Sequence, residues 1–293
     1  MCPPSRAAAL AAVFIAAGCA TPPEPEGERA PETVWAVTAA QQLVKFNAGQ
    51  PRRLLEPKFV TGLAAGETLV GIDFRVARGV LYALGSSGQL YSLDTTTGAL
   101  TKVGAGNPGL PVEGTRVGFD FNPTVDRIRV VTAAGANLRL HPDTGAQVDG
   151  DANSAGVQND SALAYAAGDA AAGRAPFVLA AGYTYNKTND KLTTNFAIDG
   201  REGTLVTQGS REGAELVVSP NTGRLFTVGA LGTGALDDAS FDITDIKNVA
   251  YAAVRRAGEP ITRWLRIDLA TGRATMIGTL GDGAPVIGIA IEP

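Results

Sequence analysis

Three aspartates, Asp73, Asp120 and Asp242, hold the same place in three similar stretches, GIDF at 71–74, GFDF at 118–121 and SFDI at 240–243. Carboxylates are what hard cations bind, and paired carboxylates can divide acid and base work between them. Repeated at one position of successive strands, they could form an acidic ring around a common axis. The competing and favoured expectation is that each is bound separately by backbone or arginine of a neighbouring repeat, with Arg75, Arg116 and Arg127 as partners. Two further stretches, ALAY at 162–165 and GIAI at 288–291, carry Ala164 and Ala290 where a full ring needs acids.

A second oxygen-rich set is Asp149, Asp151, Asn153 and Asp160, at positions 1, 3, 5 and 12 of a calcium-loop pattern. Ser154 stands where such a loop requires glycine, and Asp160 reaches less far than the glutamate normal at its end. Turn capping by Asp and Asn side chains is the competing account. Calcium is the one cofactor that these two sets raise; no other is expected. His141 is the only histidine, so Ser-His-Asp catalysis could use no other base and a multi-histidine metal site is excluded. It precedes Pro142 at a hairpin turn, where a solvent-facing role is expected.

The elements that must carry these residues are short strands. LYSLDTTTGALTKVG (90–104) is echoed at 138–150 and 264–278, with a worn copy at 43–55. In each clear copy a strand runs into an aspartate followed within four residues by glycine, which is turn chemistry. First strands at 71, 118 and 162 are 47 and 44 residues apart, and those at 240 and 288 are 48 apart. A period of this length with about four strands per repeat predicts an all-β propeller of about five four-stranded blades, or six if 161–239 holds another. The lone C-terminal strand VIGIAIEP and the N-terminal strands from VWAVTA onward predict one shared blade that closes the ring. One domain is expected over 34–293.

Composition agrees: 36 glycines, 17 prolines and 45% hydrophobic residues suit many strands joined by tight turns. With 18% charged residues and a net charge of −4, there is no electrostatic case for nucleic acid. Both cysteines, Cys2 and Cys19, precede the expected domain, which excludes a disulfide or thiolate metal site within it. Residues 1–18 read as a signal peptide, with Arg6 before the apolar run 7–17. Ala16-Ala17-Gly18-Cys19 resembles the bacterial lipobox, which implies cleavage before Cys19, its acylation with chains such as palmitate, and a durable membrane anchor. Residues 19–33 continue as a Pro/Glu-rich linker, expected to be extended and solvated over about 40 Å. Ala20 after the cysteine implies, by the same resemblance, the outer membrane of a Gram-negative cell.

FDFNPTVDRIRVV (119–131) with NLRLHPDTG (137–145), and YAAVRRAG with LRIDLATGRATMIG further on, resemble bacterial domain-of-unknown-function family 4394. The resemblance covers Val34 to Pro293 and implies an exported, propeller-like protein with no assigned activity. His141 stands where asparagine is expected in that pattern. The functional expectation is a monomeric, lipid-anchored envelope protein that binds a protein, glycan or small ligand without catalysis. The alternative is a metal-assisted hydrolase or lactonase-like propeller enzyme with a central acidic site.

Overall fold

The computed structural model describes residues 26–293 except 107–109, 111 and 113–115. The signal peptide and Cys19 lie outside the described residues. Five sheets follow one another around a ring. Blade 1 is Leu69–Arg75, Val80–Gly85, Leu90–Leu93 and Leu100–Val103; blade 2 is Val117–Asn122, Arg127–Thr132 and Asn137–Leu140. Blade 3 is Val178–Tyr183, Asn195–Asp199, Thr204–Gln208 and Arg224–Ala230, with Ala164–Tyr165 added in parallel at its outer edge. Blade 4 is Leu236–Ile243, Ala250–Arg256, Thr262–Ile267 and Ala274–Thr279. Blade 5 joins the two ends of the chain: Val286–Ile291 pairs antiparallel with Thr33–Thr38, followed by Gln42–Asn47 and Gln50–Phe59.

The first strand of each blade is innermost, and each touches its counterparts in the two adjacent blades. Such a strand is covered on both faces, so it reads as an almost continuous small and apolar run. The residue two places before each aspartate position explains the repeat's spelling. At Gly71 a Cβ would come within 2.6 Å of Phe119, at Gly118 within 2.7 Å of the Ala181 nitrogen, and at Gly288 within 2.9 Å of the Ile72 nitrogen. Ala180 and Ser240 hold the same register in blades 3 and 4. Close approach of neighbouring inner strands therefore demands small residues there. Outside the ring's centre the seams are aromatic and aliphatic. Trp264 closes the seam between blades 4 and 5, edge-on to Phe46, stacked on Tyr251 and donating to the Ala48 carbonyl at 2.8 Å.

Three expectations need correction. The first strand of blade 3 is Val178–Tyr183, not 162–165; VLAAGY is buried throughout, as the inner position requires, whereas Ala164 is exposed. Blade 2 has three strands, since the stretch after His141 makes a single bridge, Leu140 to Gln147. There the side chain of Asp149 accepts from the backbone of Asp151 and Gln158, and such local bonds displace a sheet ladder. The end of the linker is docked rather than solvated: Asn47 bonds both N–H and C=O of Ala30, and Tyr251 donates to Glu32.

Candidate functional site

Asp73, Asp120 and Asp242 converge at the ring's centre. One carboxylate oxygen from each lies within 4.8 Å of the others, and all three side chains are buried. Among the described residues this is the one such cluster of three His, Cys, Asp or Glu side chains.

Their hydrogen bonds repeat from blade to blade. Asp73 accepts from the Phe121 nitrogen of the next blade at 2.7 Å, Asp120 from Tyr183 at 3.0 Å, and Asp242 from Ile291 at 2.6 Å. Each donor sits one residue beyond the aspartate position of its own strand. The equivalents in the remaining blades are therefore Gly182 and Ala290, and Gly182 replaces the expected Ala164. At Gly182 a Cβ would meet the Phe241 ring at 2.9 Å, so that place has no room for a side chain. Asp73 and Asp242 use their second oxygen on their own next residue, Phe74 at 2.8 Å and Ile243 at 2.6 Å. Asp120 spends one oxygen on Tyr183.

Bonding to a neighbouring blade's backbone is as expected, but the favoured separation of the three acids and their pairing with arginine are not: the carboxylates converge. Arg75 is held by Asp126 and Asp143, Arg116 by Asp238, and Arg127 bonds the Val125 and Asp126 carbonyls. The three carboxylates thus meet with backbone amides as their donors among the described residues. Burial pushes Asp73 well above the usual carboxylate range, with the Asp242 charge adding to it. Asp120 rises likewise, by burial first and then by the charges of Asp73 and Asp242. Asp242 is pushed up to about 7, burial outweighing its two backbone bonds. Three hard oxygen ligands suit calcium or magnesium. The cavity beside them, bordered by Asp73, Asp242, Tyr185 and Asp245, measures about 20 Å³, room for one water or a bare ion.

The calcium-loop residues are not brought together. Asp160 is buried and bonded by Arg129 at 2.6 Å and by Arg139 at 2.7 and 2.8 Å. Asp149 and Asp151 cap their own turns, Asp151 accepting from the Asn153 nitrogen at 3.0 Å and the Ser154 hydroxyl at 2.7 Å. His141 takes a turn role too. Its Nδ1 accepts from the Asp143 nitrogen at 3.2 Å, the place filled by the carboxylates of Asp94 and Asp268 in the sister turns.

Two larger clefts hold groups that the spacing of motifs did not single out. One, of about 510 Å³, opens toward the N-terminal halves of all five inner strands, at Leu69, Val117, Leu179, Ala239 and Val286. There Asp238 lies between Arg116 at 3.3 Å and Arg255 at 3.5 Å, and burial raises its carboxyl. The other, of about 520 Å³, lies between blades 2 and 3. Its floor includes Arg129, whose buried guanidinium donates to Asp160, Asn137, Asn221 and the Tyr183 hydroxyl. Alternation in RIRVV marks Arg127 and Arg129 as sharing one strand face, but nothing local tells which blade that face meets.

A family model described as a domain of unknown function, DUF4394, matches residues 42–290. No curated protein matches the chain. Among solved structures, a chain of a nidogen/laminin complex aligns with a TM-score of 0.47 and 9% identity, over 89% of this chain and 98% of that one. A Bacteroides caccae protein of unknown function aligns at 0.46 and 8% identity, over 90% and 99%. A putative 6-phosphogluconolactonase from Bacteroides uniformis aligns at 0.40 and 11%, over 85% and 82%. No helix of the described residues is long and apolar enough to cross a membrane.

Proposed function

The chain belongs to the DUF4394 family, and on that premise we propose that it is a non-catalytic binding propeller, held in the bacterial cell envelope by a lipid on Cys19. The observation that carries the binding reading is where space and acids lie. Asp73 and Asp242 border a cavity of about 20 Å³, too small for a substrate, while larger clefts, those of about 510 and 520 Å³ among them, lie elsewhere. A cation held by Asp73, Asp120 and Asp242 would tie three blades together and relieve their mutual repulsion, a structural role. The anchor rests on the small residues before Cys19 and the Pro/Glu-rich stretch after it.

Two measurements test this. Cys19→Ser is expected to move the protein from the detergent phase and membrane fraction into the soluble fraction; an unchanged membrane fraction refutes the anchor. The purified chain is expected to leave lactone and ester substrates intact with or without calcium. Calcium-dependent turnover that is lost in Asp120→Asn would establish the second reading, a metal-assisted hydrolase, which the convergence of the three carboxylates favours.

A further inference from the structure

Resting on the binding reading, we infer that the cleft between blades 2 and 3 is a site for a sugar bearing an acidic group, carboxylate or phosphate. The whole chain carries a net charge of −4, yet this cleft is lined by Arg127, Arg129, Arg139, Lys191 and Arg211. Glu212 is the acid among its lining residues, and Asp160 lies against Arg129 and Arg139. Five cations against these two carboxylates leave three positive charges in excess. Arg127 donates to the Val125 and Asp126 carbonyls and Arg211 to the Leu269 carbonyl, and a carbonyl neutralises no charge. Arg129 is 2% exposed and held from four sides, so the cationic floor is rigid before any ligand arrives.

A second, independent feature asks for hydroxyls. Asn195 lines the same cleft and is 2% exposed; its amide nitrogen donates to Gln208 at 3.3 Å, while its Oδ1 has no hydrogen-bond partner. A buried acceptor without a donor is unfavourable, and a sugar hydroxyl admitted beside Asn195 by a shift of its side chain supplies that donor. Val125, Leu192 and Val217 stand exposed on the rim at 56%, 37% and 79%, giving apolar surface for the C–H faces of a sugar ring. A cavity of about 520 Å³ lies within the range of small-ligand sites.

The test is isothermal titration of the full chain in detergent with digalacturonate, glucose 1-phosphate, cellobiose and inorganic phosphate. Binding by digalacturonate or by glucose 1-phosphate is expected, and the stronger of the two identifies the acid as carboxylate or phosphate. The double variant Lys191→Gln/Arg211→Gln, which alters rim residues, is expected to weaken that binding about tenfold or more with an unchanged melting temperature. Arg273→Gln, outside the cleft, is expected to leave it unchanged. The inference is overturned if neither acidic sugar binds, if cellobiose or phosphate alone binds as tightly as the acidic sugar, or if the double variant keeps its affinity. Turnover of the bound sugar would instead refute the non-catalytic reading and leave the site standing.

Discussion

Asp120→Asn separates an acidic cluster under repulsion from three independently satisfied aspartates. Each cluster carboxyl has a folded-state pKa raised above its ordinary value, Asp242 to about 7. The folded state therefore binds more protons than the unfolded chain between about pH 4 and 7, so stability is full at low pH and falls as pH rises through that window. Holding one carboxyl at about 7 rather than 3.8 corresponds to about 4 kcal/mol. Because the three titrate as a coupled set, that is a ceiling for the loss assigned to Asp242 between pH 4 and 8.

The hydrogen bonds set the three positions apart. Asp73 and Asp242 use both oxygens on backbone N–H groups, so an amide there turns an NH₂ against a donor. Asp73→Asn and Asp242→Asn are expected to cost about 1–3 kcal/mol at pH 5 through that lost bond. Asp120→Asn keeps the Tyr183 bond through Oδ1, and its Nδ2 can donate to the neighbouring carboxylates. It is expected to be more stable than the parent by about 1–3 kcal/mol at pH 8, with a flatter pH dependence. The assay is urea unfolding at pH 5 and pH 8 in chelator, repeated at pH 8 with calcium. Calcium is expected to restore the parent's stability and to do little for Asp120→Asn. A parent insensitive to pH in chelator, or an Asp120→Asn protein that is the weakest of the three at pH 8, refutes the reasoning.

Deleting residues 286–293 removes the inner strand of blade 5, with buried Val286, Ile289 and Ile291 and the amide that Asp242 accepts from. At about 1.5–3 kcal/mol per buried aliphatic side chain, the thermal midpoint should fall by more than about 10 °C; a midpoint within two degrees of the parent refutes ring closure. Asp160→Asn leaves Arg129 buried without its anion and is expected to cost about 3–5 kcal/mol in urea unfolding, a value below 1 kcal/mol being the refuting result. Gly118→Val drives a Cβ to 2.7 Å from the Ala181 nitrogen and is expected to cost at least about 1–3 kcal/mol by the same assay, with an unperturbed midpoint counting against close approach of blades 2 and 3.

What could be read along the chain was whatever one strand or one turn encodes by itself. Gly-x-Asp and Gly-x-Ala at fixed spacing mark inner strands because the small residue, the apolar neighbour and the channel position are all properties of a single strand. Blade 3 escaped that rule because its inner strand carries Gly182 at the aspartate position and follows the Ala/Gly-rich stretch 166–176 rather than a clear turn. His141 was visible as a residue and hidden as a role, since only the sister turns at Asp94 and Asp268 reveal that a ring nitrogen is doing a carboxylate's work. The partners of the three central acids were illegible for a different reason. Nearby arginines in the sequence are taken up by Asp126, Asp143, Asp238 and turn carbonyls, and the donors are amides some 50 or 60 residues downstream, brought within reach where adjacent inner strands meet. The cationic cleft is the extreme case. Arg127, Arg129 and Arg139 come from blade 2, whereas Lys191, Asn195 and Arg211 belong to blade 3 and its loops, so no window of sequence contains both walls. In a propeller a binding site of this kind is a property of the seam between repeats, and a repeat-by-repeat reading finds the scaffold before it finds the site.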